Sequence, residues 1–142
     1  MKSIRQLLQS KTRPLVHVGP GDSVHRALTL MAEHDVGALL VLDAGKLVGI
    51  FSERDYARKV ALHGKSSRDT PIRDIMTEKV LYVTPDQTVT QCLAIMTEKH
   101  FRHLPVLDNN NVIGIISIGD LVKERISEQS FIIEQMERYI AG

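Results

Sequence analysis

Two heptapeptides carry the residue types that could do chemistry: Gly49-Ile50-Phe51-Ser52-Glu53-Arg54-Asp55 and Gly114-Ile115-Ile116-Ser117-Ile118-Gly119-Asp120. In each, an apolar run ends at a serine, and the hydroxyl and the carboxylate stand three residues apart where a helix begins. Free backbone N–H groups at a helix N-terminus favour an anionic group, and a serine hydroxyl there can donate to a phosphate oxygen. A carboxylate three residues on would repel phosphate but accept hydrogen bonds from the vicinal hydroxyls of a ribose. The pair therefore suits a ribose-phosphate better than a bare phosphate. The same Ser-x-x-Asp spacing is also a capping box, a purely structural device. Duplication preserves caps as readily as ligands, so the two readings stand side by side on spacing alone.

Basic residues gather near these motifs. Arg54, Arg58 and Lys59 follow the first, and Arg54 and Arg58 share a helix face at i, i+4. Arg102 and His103 precede the apolar run Leu104 to Leu107, where the first copy has the small, uncharged Gly37 and Ala38. A bidentate arginine suits phosphate. Gly119 stands where the first motif has Arg54, so the two sites are chemically unequal. A solvated helix face is the competing reading for Arg58 and Lys59.

The elements that must position these groups come in two copies. At an offset of 65, Val18, Pro20, Val24, Leu28, Met31 and Glu33 fall on identical residues from Val83 to Glu98. Leu39, Val41, Leu42, Asp43, Gly49, Ile50, Ser52 and Asp55 do the same from Leu104 to Asp120, without a gap. Such self-similarity marks a tandem repeat. Val24, Ala27, Leu28 and Met31 at i, i+3, i+4, i+7 predict an amphipathic helix, with Asp22 or Ser23 as its N-cap; Val89, Cys92, Leu93 and Met96 repeat the stripe. Two apolar runs across Asp43-Ala44-Gly45, and again across Asp108-Asn109-Asn110, predict a hairpin. Each unit reads strand–helix–strand–strand–helix, an α+β fold of two β-α-β-β-α repeats packed with pseudo-two-fold symmetry. Residues 1–12 form an N-terminal helical segment around Ile4, Leu7 and Leu8. Residues 13–70 and 71–127 form the repeats, with 65–71 as connector and Ile72 to Thr77 opening the second. Residues 128–142 form a C-terminal helix whose stripe of Phe131, Ile132, Met136, Tyr139 and Ile140 covers either the domain's own core or a second copy. A unit of about 60 residues is marginal alone, so the two share a core and leave two related clefts where they meet.

The repeated pattern of helix, hairpin and G-φ-φ-[ST]-x-x-D resembles the cystathionine-β-synthase, or CBS, domain, and the tandem resembles a CBS pair, or Bateman module. The resemblance spans about residues 13–127 and includes Asp74-Ile75-Met76-Thr77 and Phe101-Arg102-His103-Leu104-Pro105-Val106. It implies a non-catalytic regulatory module that senses adenosyl ligands: AMP or another adenine nucleotide first, then NAD(H), then S-adenosylmethionine. It implies that Asp55 and Asp120 hold the ribose, that Ser52 and Ser117 lie near phosphate, and that Arg102 and His103 stand at the phosphate edge. Adenine would lie against the strands near Val16, His17, Val18 and near Leu81, Tyr82, Val83. A disc-like homodimer and a regulated protein partner are implied too. A nucleotide-processing enzyme and a purely structural module are the alternatives.

Composition narrows the field further. Across 142 residues, 43% are apolar and 25% charged, ordinary globular usage. The net charge is +1, tryptophan is absent and aromatics are 4%, which argues against a nucleic-acid surface. No apolar run approaches a membrane span, and no secretory signal is visible; a cytoplasmic protein is expected. Cys92, the one cysteine, falls on an apolar stripe and reads as a core residue. Gly19-Pro20-Gly21 lacks the third glycine of a dinucleotide loop. His100-x-x-His103 lacks further ligands at metal-binding spacing, so neither a metal site nor a catalytic set is expected.

Overall fold

The computed structural model describes residues 2–10 and 15–141, with side chains through Arg138. The boundary expected at residue 13 and the side chains of Tyr139 and Ile140 lie outside the described residues. Helix α1 is Ile4–Ser10, strand β1 His17–Val18, helix α2 Val24–His34, strand β2 Ala38–Asp43 and strand β3 Lys46–Ser52. A short helix, α3, Glu53–Asp55, runs into a π-helical stretch, Tyr56–Ala61. After a 3-10 turn at Ile72–Asp74 come helix α4, Val89–Lys99, strands β4, His103–Asp108, and β5, Asn111–Ser117, and helix α5, Ile118–Ala141.

The repeat is visible bond for bond. Strand β1 runs parallel to β2 across the α2 crossover, and β2 pairs antiparallel with β3. In the second copy β4 and β5 form the same hairpin, and the expected opening strand shrinks to one parallel bridge, Val83 to Val106. Both hairpins slip register at the same place, Val41/Leu42 and Val106/Leu107. Both turn with two positive-φ residues, Ala44 and Gly45 or Asn109 and Asn110, the geometry that matches the twist of paired strands. Helix α2 starts at Ser23, whose hydroxyl caps Arg26 N; Asp22 instead accepts from Gly19 N.

The segments ahead of the repeats are exchanged. Ile4 and Leu7 are buried with Val83, Val89, Cys92, Met96, Leu104 and Ile116, in the second unit's core. Ile72 and Ile75, which lead into the second unit, are buried with Val24, Met31, Val41 and Phe51 in the first. The hydrogen bonds match pairwise. Ile4 N donates to Gln87 O, as Ile72 N does to Asp22 O; Val89 N donates to Lys2 O, as Val24 N does to Thr70 O. Each unit's first helix thus has an orphan N–H satisfied by the exchanged segment. Gly49 and Gly114 permit the contact, since a Cβ on either would lie under 3 Å from Met76 Sδ or Leu8 Cδ2.

Two expected elements differ. The helix after the first motif is widened, with Leu62 N bonded to Ala57 O and Lys65 N to Val60 O, so Arg54 and Arg58 do not share a regular α-helical face. The second motif's helix and the terminal helix are one continuous rod, α5. Leu121 anchors it in the second core, and Phe131, Ile132, Ile133 and Met136 are exposed, so the described part of the stripe does not cover the domain's own core.

Cys92 is fully buried, and burial pushes its thiol up from 9.0 to about 11. The unfolded chain then loses its thiol proton first. Between pH 9 and 11 the folded state holds more protons, so stability falls as pH rises, and below that window the thiol contributes no slope. Urea midpoints are expected to drop across pH 9–11 in the native protein, with that component missing in Cys92→Ala. Rapid modification of the folded thiol at pH 8 would contradict this.

Candidate functional site

The two units meet along β3 and β5. On one side of that junction lies a cleft of about 320 Å³, within the range that small-molecule sites occupy. Leu8, Leu15, Val16, Val36, Ile113 and Ile115 supply apolar wall. Gly37 and Ala38, at the start of β2, approach from the first unit; His103, Ser117 and Asp120 face them from the second. Asp35 completes the rim, at the left-handed C-cap of α2 with φ 52°.

The polar groups are fixed locally. Ser117 ends β5 opposite His103, its antiparallel partner on β4. Ser117 N donates to Asp120 Oδ2 at 2.9 Å, and Asp120 N donates to Ser117 Oγ at 3.0 Å. This is a capping box that holds a half-buried carboxylate at the cleft. The His103 ring lies beside Gly37: a Cβ there would come within 3.4 Å of it and 3.2 Å of Glu53 Oε1. The absence of a side chain at Gly37 thus leaves room for the imidazole and the Glu53 carboxylate at the mouth.

The first motif is built alike but used differently. Ser52 N and Oγ donate to Asp55 Oδ2 at 3.0 and 3.1 Å, and Asp55 N donates to Ser52 Oγ at 3.2 Å. Thr77 Oγ1 then donates to Asp55 Oδ1 at 3.1 Å, and Lys59 Nζ sits 3.0 Å from the same oxygen. Asp55 is 8% exposed. Both its oxygens are engaged, by the chain's own groups.

The sequence-derived candidates therefore divide. Val16, Gly37, Ala38, His103, Ser117 and Asp120 come together in the cleft. Val18 and Val83 are core residues, and His17, Leu81 and Tyr82 lie at the surface. Ser52 and Asp55 form the closed network. Arg54 Nη1 reaches across to the carbonyl of His100, tying α3 to the end of α4. Arg58 and Arg102 are exposed outside the cleft. Sequence reasoning missed Leu8, Leu15, Asp35, Val36, Ile113 and Ile115. Leu8 had a signal: Ile4-Arg5-x-Leu7-Leu8 repeats as Ile72-Arg73-x-Ile75-Met76. Among the described residues no group of three or more His, Cys, Asp or Glu side chains is placed to hold a metal ion, and no helix is long and apolar enough to cross a membrane.

The same tandem architecture occurs in known proteins. The family profile of the CBS domain matches residues 4–62 and 72–127. The chain is 40% identical over 126 residues to the mitochondrial CBS domain-containing protein CBSX3 of Arabidopsis thaliana, covering 85% of this chain and 61% of that protein. A solved protein with CBS domains from Burkholderia ambifaria superposes with a TM-score of 0.87 at 50% identity, covering 90% of this chain and 96% of that one. The CBS domain pair of the protein MJ0100, solved in complex with 5′-methylthioadenosine and S-adenosyl-L-methionine, superposes with a TM-score of 0.79 at 26% identity, covering 90% and 98%.

Proposed function

The chain belongs to the CBS-domain family and carries two CBS domains in tandem, and from that premise we propose that it is a non-catalytic regulatory module that binds one adenosyl ligand in the cleft at Ser117 and Asp120. CBS domain pairs are regulatory modules. The observation that carries the reading is the convergence of a capped Ser–Asp pair from the second unit with the backbone at Gly37 and Ala38 from the first. In this reading Asp120 accepts from the ribose hydroxyls. Val16, Val36 and Ile113 flank the adenine, and the strand beside Val16 offers backbone groups to its edge. Ser117 and His103 face whatever extends from the ribose 5′ position. A single imidazole suits one phosphate better than three, so AMP leads, followed by NAD(H) and S-adenosylmethionine. The complex with the MJ0100 pair supports the adenosyl class.

The working form in this reading is a cytoplasmic homodimer. Its output is a ligand-dependent change of shape or assembly felt by a partner protein, which requires that the ligand bind two states with different affinities.

Titration calorimetry and native mass spectrometry with AMP, NAD, S-adenosylmethionine and 5′-methylthioadenosine test the proposal. One adenosyl ligand per chain, recovered unchanged after long incubation, is the expected result. Steady conversion of the ligand would make the protein an enzyme. Absence of binding to all four at millimolar concentration would leave a structural module.

A further inference from the structure

We infer that helix α5 is a dimerisation arm, which packs antiparallel against α5 of a second copy of this chain. Beyond Glu128 every described residue of α5 is exposed, from Gln129 to Arg138, an arm of about 15 Å at helical rise. A helical stretch of that length is marginal in water without packing. Its surface is nevertheless apolar: Ile126 is 57% exposed, Ile133 55% and Met136 61%, and Val122 lies in line with them. Val122, Ile126, Gln129, Ile133 and Met136 are spaced four, three, four, three, the seam of a two-helix coil.

Charge selects the occupant and its direction. Lys123, Ser130 and Glu137 line one edge of the seam, and Arg125 and Ile132 the other. In an antiparallel pair centred near residue 131, Lys123 meets the partner's Glu137, and symmetry makes that ion pair twice. Ser130 meets its own copy, with Gln129 beside it, and Ile132 meets its own copy across the other edge. A parallel pair would instead set Ile132 against the partner's Glu137 and leave Lys123 without an acid. Phe131, 62% exposed, projects from the opposite face of the helix and takes no part. The seam spans about four helical turns on each copy, from Val122 to Met136, a small contact, so a dimer in the micromolar range is expected.

This inference takes from the homodimer reading only its second copy, and no seam residue lines the ligand cleft. Light scattering and sedimentation of the full chain are expected to show a dimer at about 50 µM, well above that range. Ile126→Glu with Ile133→Glu is expected to weaken association by at least about 100-fold. Phe131→Glu, an equal change on the same arm, should leave it intact. Lys123→Glu alone should weaken association about 3–10-fold, and adding Glu137→Lys should restore it. A wild-type monomer would overturn both the seam and the homodimer reading. A dimer that survives the double isoleucine change would overturn the seam alone and leave association through another face. Dissociation by Phe131→Glu would overturn the seam too, and a charge swap without rescue would overturn its antiparallel direction. Ligand titration of each variant reports separately on the cleft.

Discussion

Asp120→Ala is expected to raise the dissociation constant of the adenosyl ligand by at least about 100-fold, and Asp55→Ala to leave it within about threefold. The first figure follows from two hydrogen bonds between ribose hydroxyls and a carboxylate, each contributing about 1.5–3 kcal/mol. Both substitutions also bear on stability. Asp120→Ala leaves the Ser117 hydroxyl capping the backbone N of residue 120 and removes the acceptor for Ser117 N, a loss of about 1 kcal/mol for that bond. Asp55→Ala removes the equivalent acceptor for Ser52 N and also the partner of the Thr77 hydroxyl that donates to Oδ1, for a total of about 2–3 kcal/mol. Lys59 adds little, because its ammonium is half in solvent. Thermal melting should therefore fall by roughly 5–10 °C for Asp55→Ala. Asp120→Asn keeps an acceptor for Ser117 N and so separates the cap from the ligand. Unchanged affinity in both Asp120 variants, with Asp55→Ala abolishing binding, would move the site to the first motif.

That division of labour between two motifs with the same Ser-x-x-Asp spacing shows how far the sequence could be read. Offset 65 placed α2, α4, both hairpins and both caps, because each depends on local periodicity and turn chemistry. It also placed Gly37 and Ala38 opposite Arg102 and His103. The roles of Asp55 and Asp120 depend instead on what arrives from elsewhere. Lys59 reaches Asp55 from one turn on, whereas its repeat counterpart is Glu124, which pairs with Lys2. Thr77 reaches Asp55 from the exchanged segment, and its counterpart is Gln9. The exchanged segments match at offset 68, because Val18 lies ten positions after Leu8 and Val83 only seven after Met76. A search at one constant offset steps past that pairing. It therefore treats residues 1–12 as a flank when Leu8 forms part of the cleft wall. The length of α5 was hidden for a different reason. Helical periodicity marks its stripe, but only packing shows that the stripe leaves the body of its own chain.

Removal of residues 2–10 is expected to unfold the second unit and spare much of the first. Ile4 and Leu7 are buried among Val83, Val89, Met96 and Leu104, and loss of each such side chain costs about 2–5 kcal/mol. The deletion also orphans Val89 N, which donates to Lys2 O, and breaks the Ser3–Thr88 bridge. The sum, about 5–10 kcal/mol, matches the whole stability of an ordinary domain. Sequence neighbourhood points the other way, since these residues directly precede β1 and should support the first unit. Hydrogen exchange distinguishes the two. In Ile4→Ala, expected to fold with a loss of about 2–4 kcal/mol, protection should fall most in α4, β4 and β5 and least in α2, β2 and β3. The mirror substitution, Ile72→Ala, should do the reverse, because Ile72 belongs to the core of Val24, Met31 and Phe51. Loss of protection first in β2 and β3 on Ile4→Ala would contradict the exchange. The exchange also ties the cleft to the start of the chain: Leu8, from the segment ahead of the first repeat, walls the site that holds Asp120 of the second, so local opening of α1 removes a wall of the ligand site. Adenosyl binding should accordingly protect the amides of α1, although the serine and the carboxylate lie more than a hundred residues away along the chain.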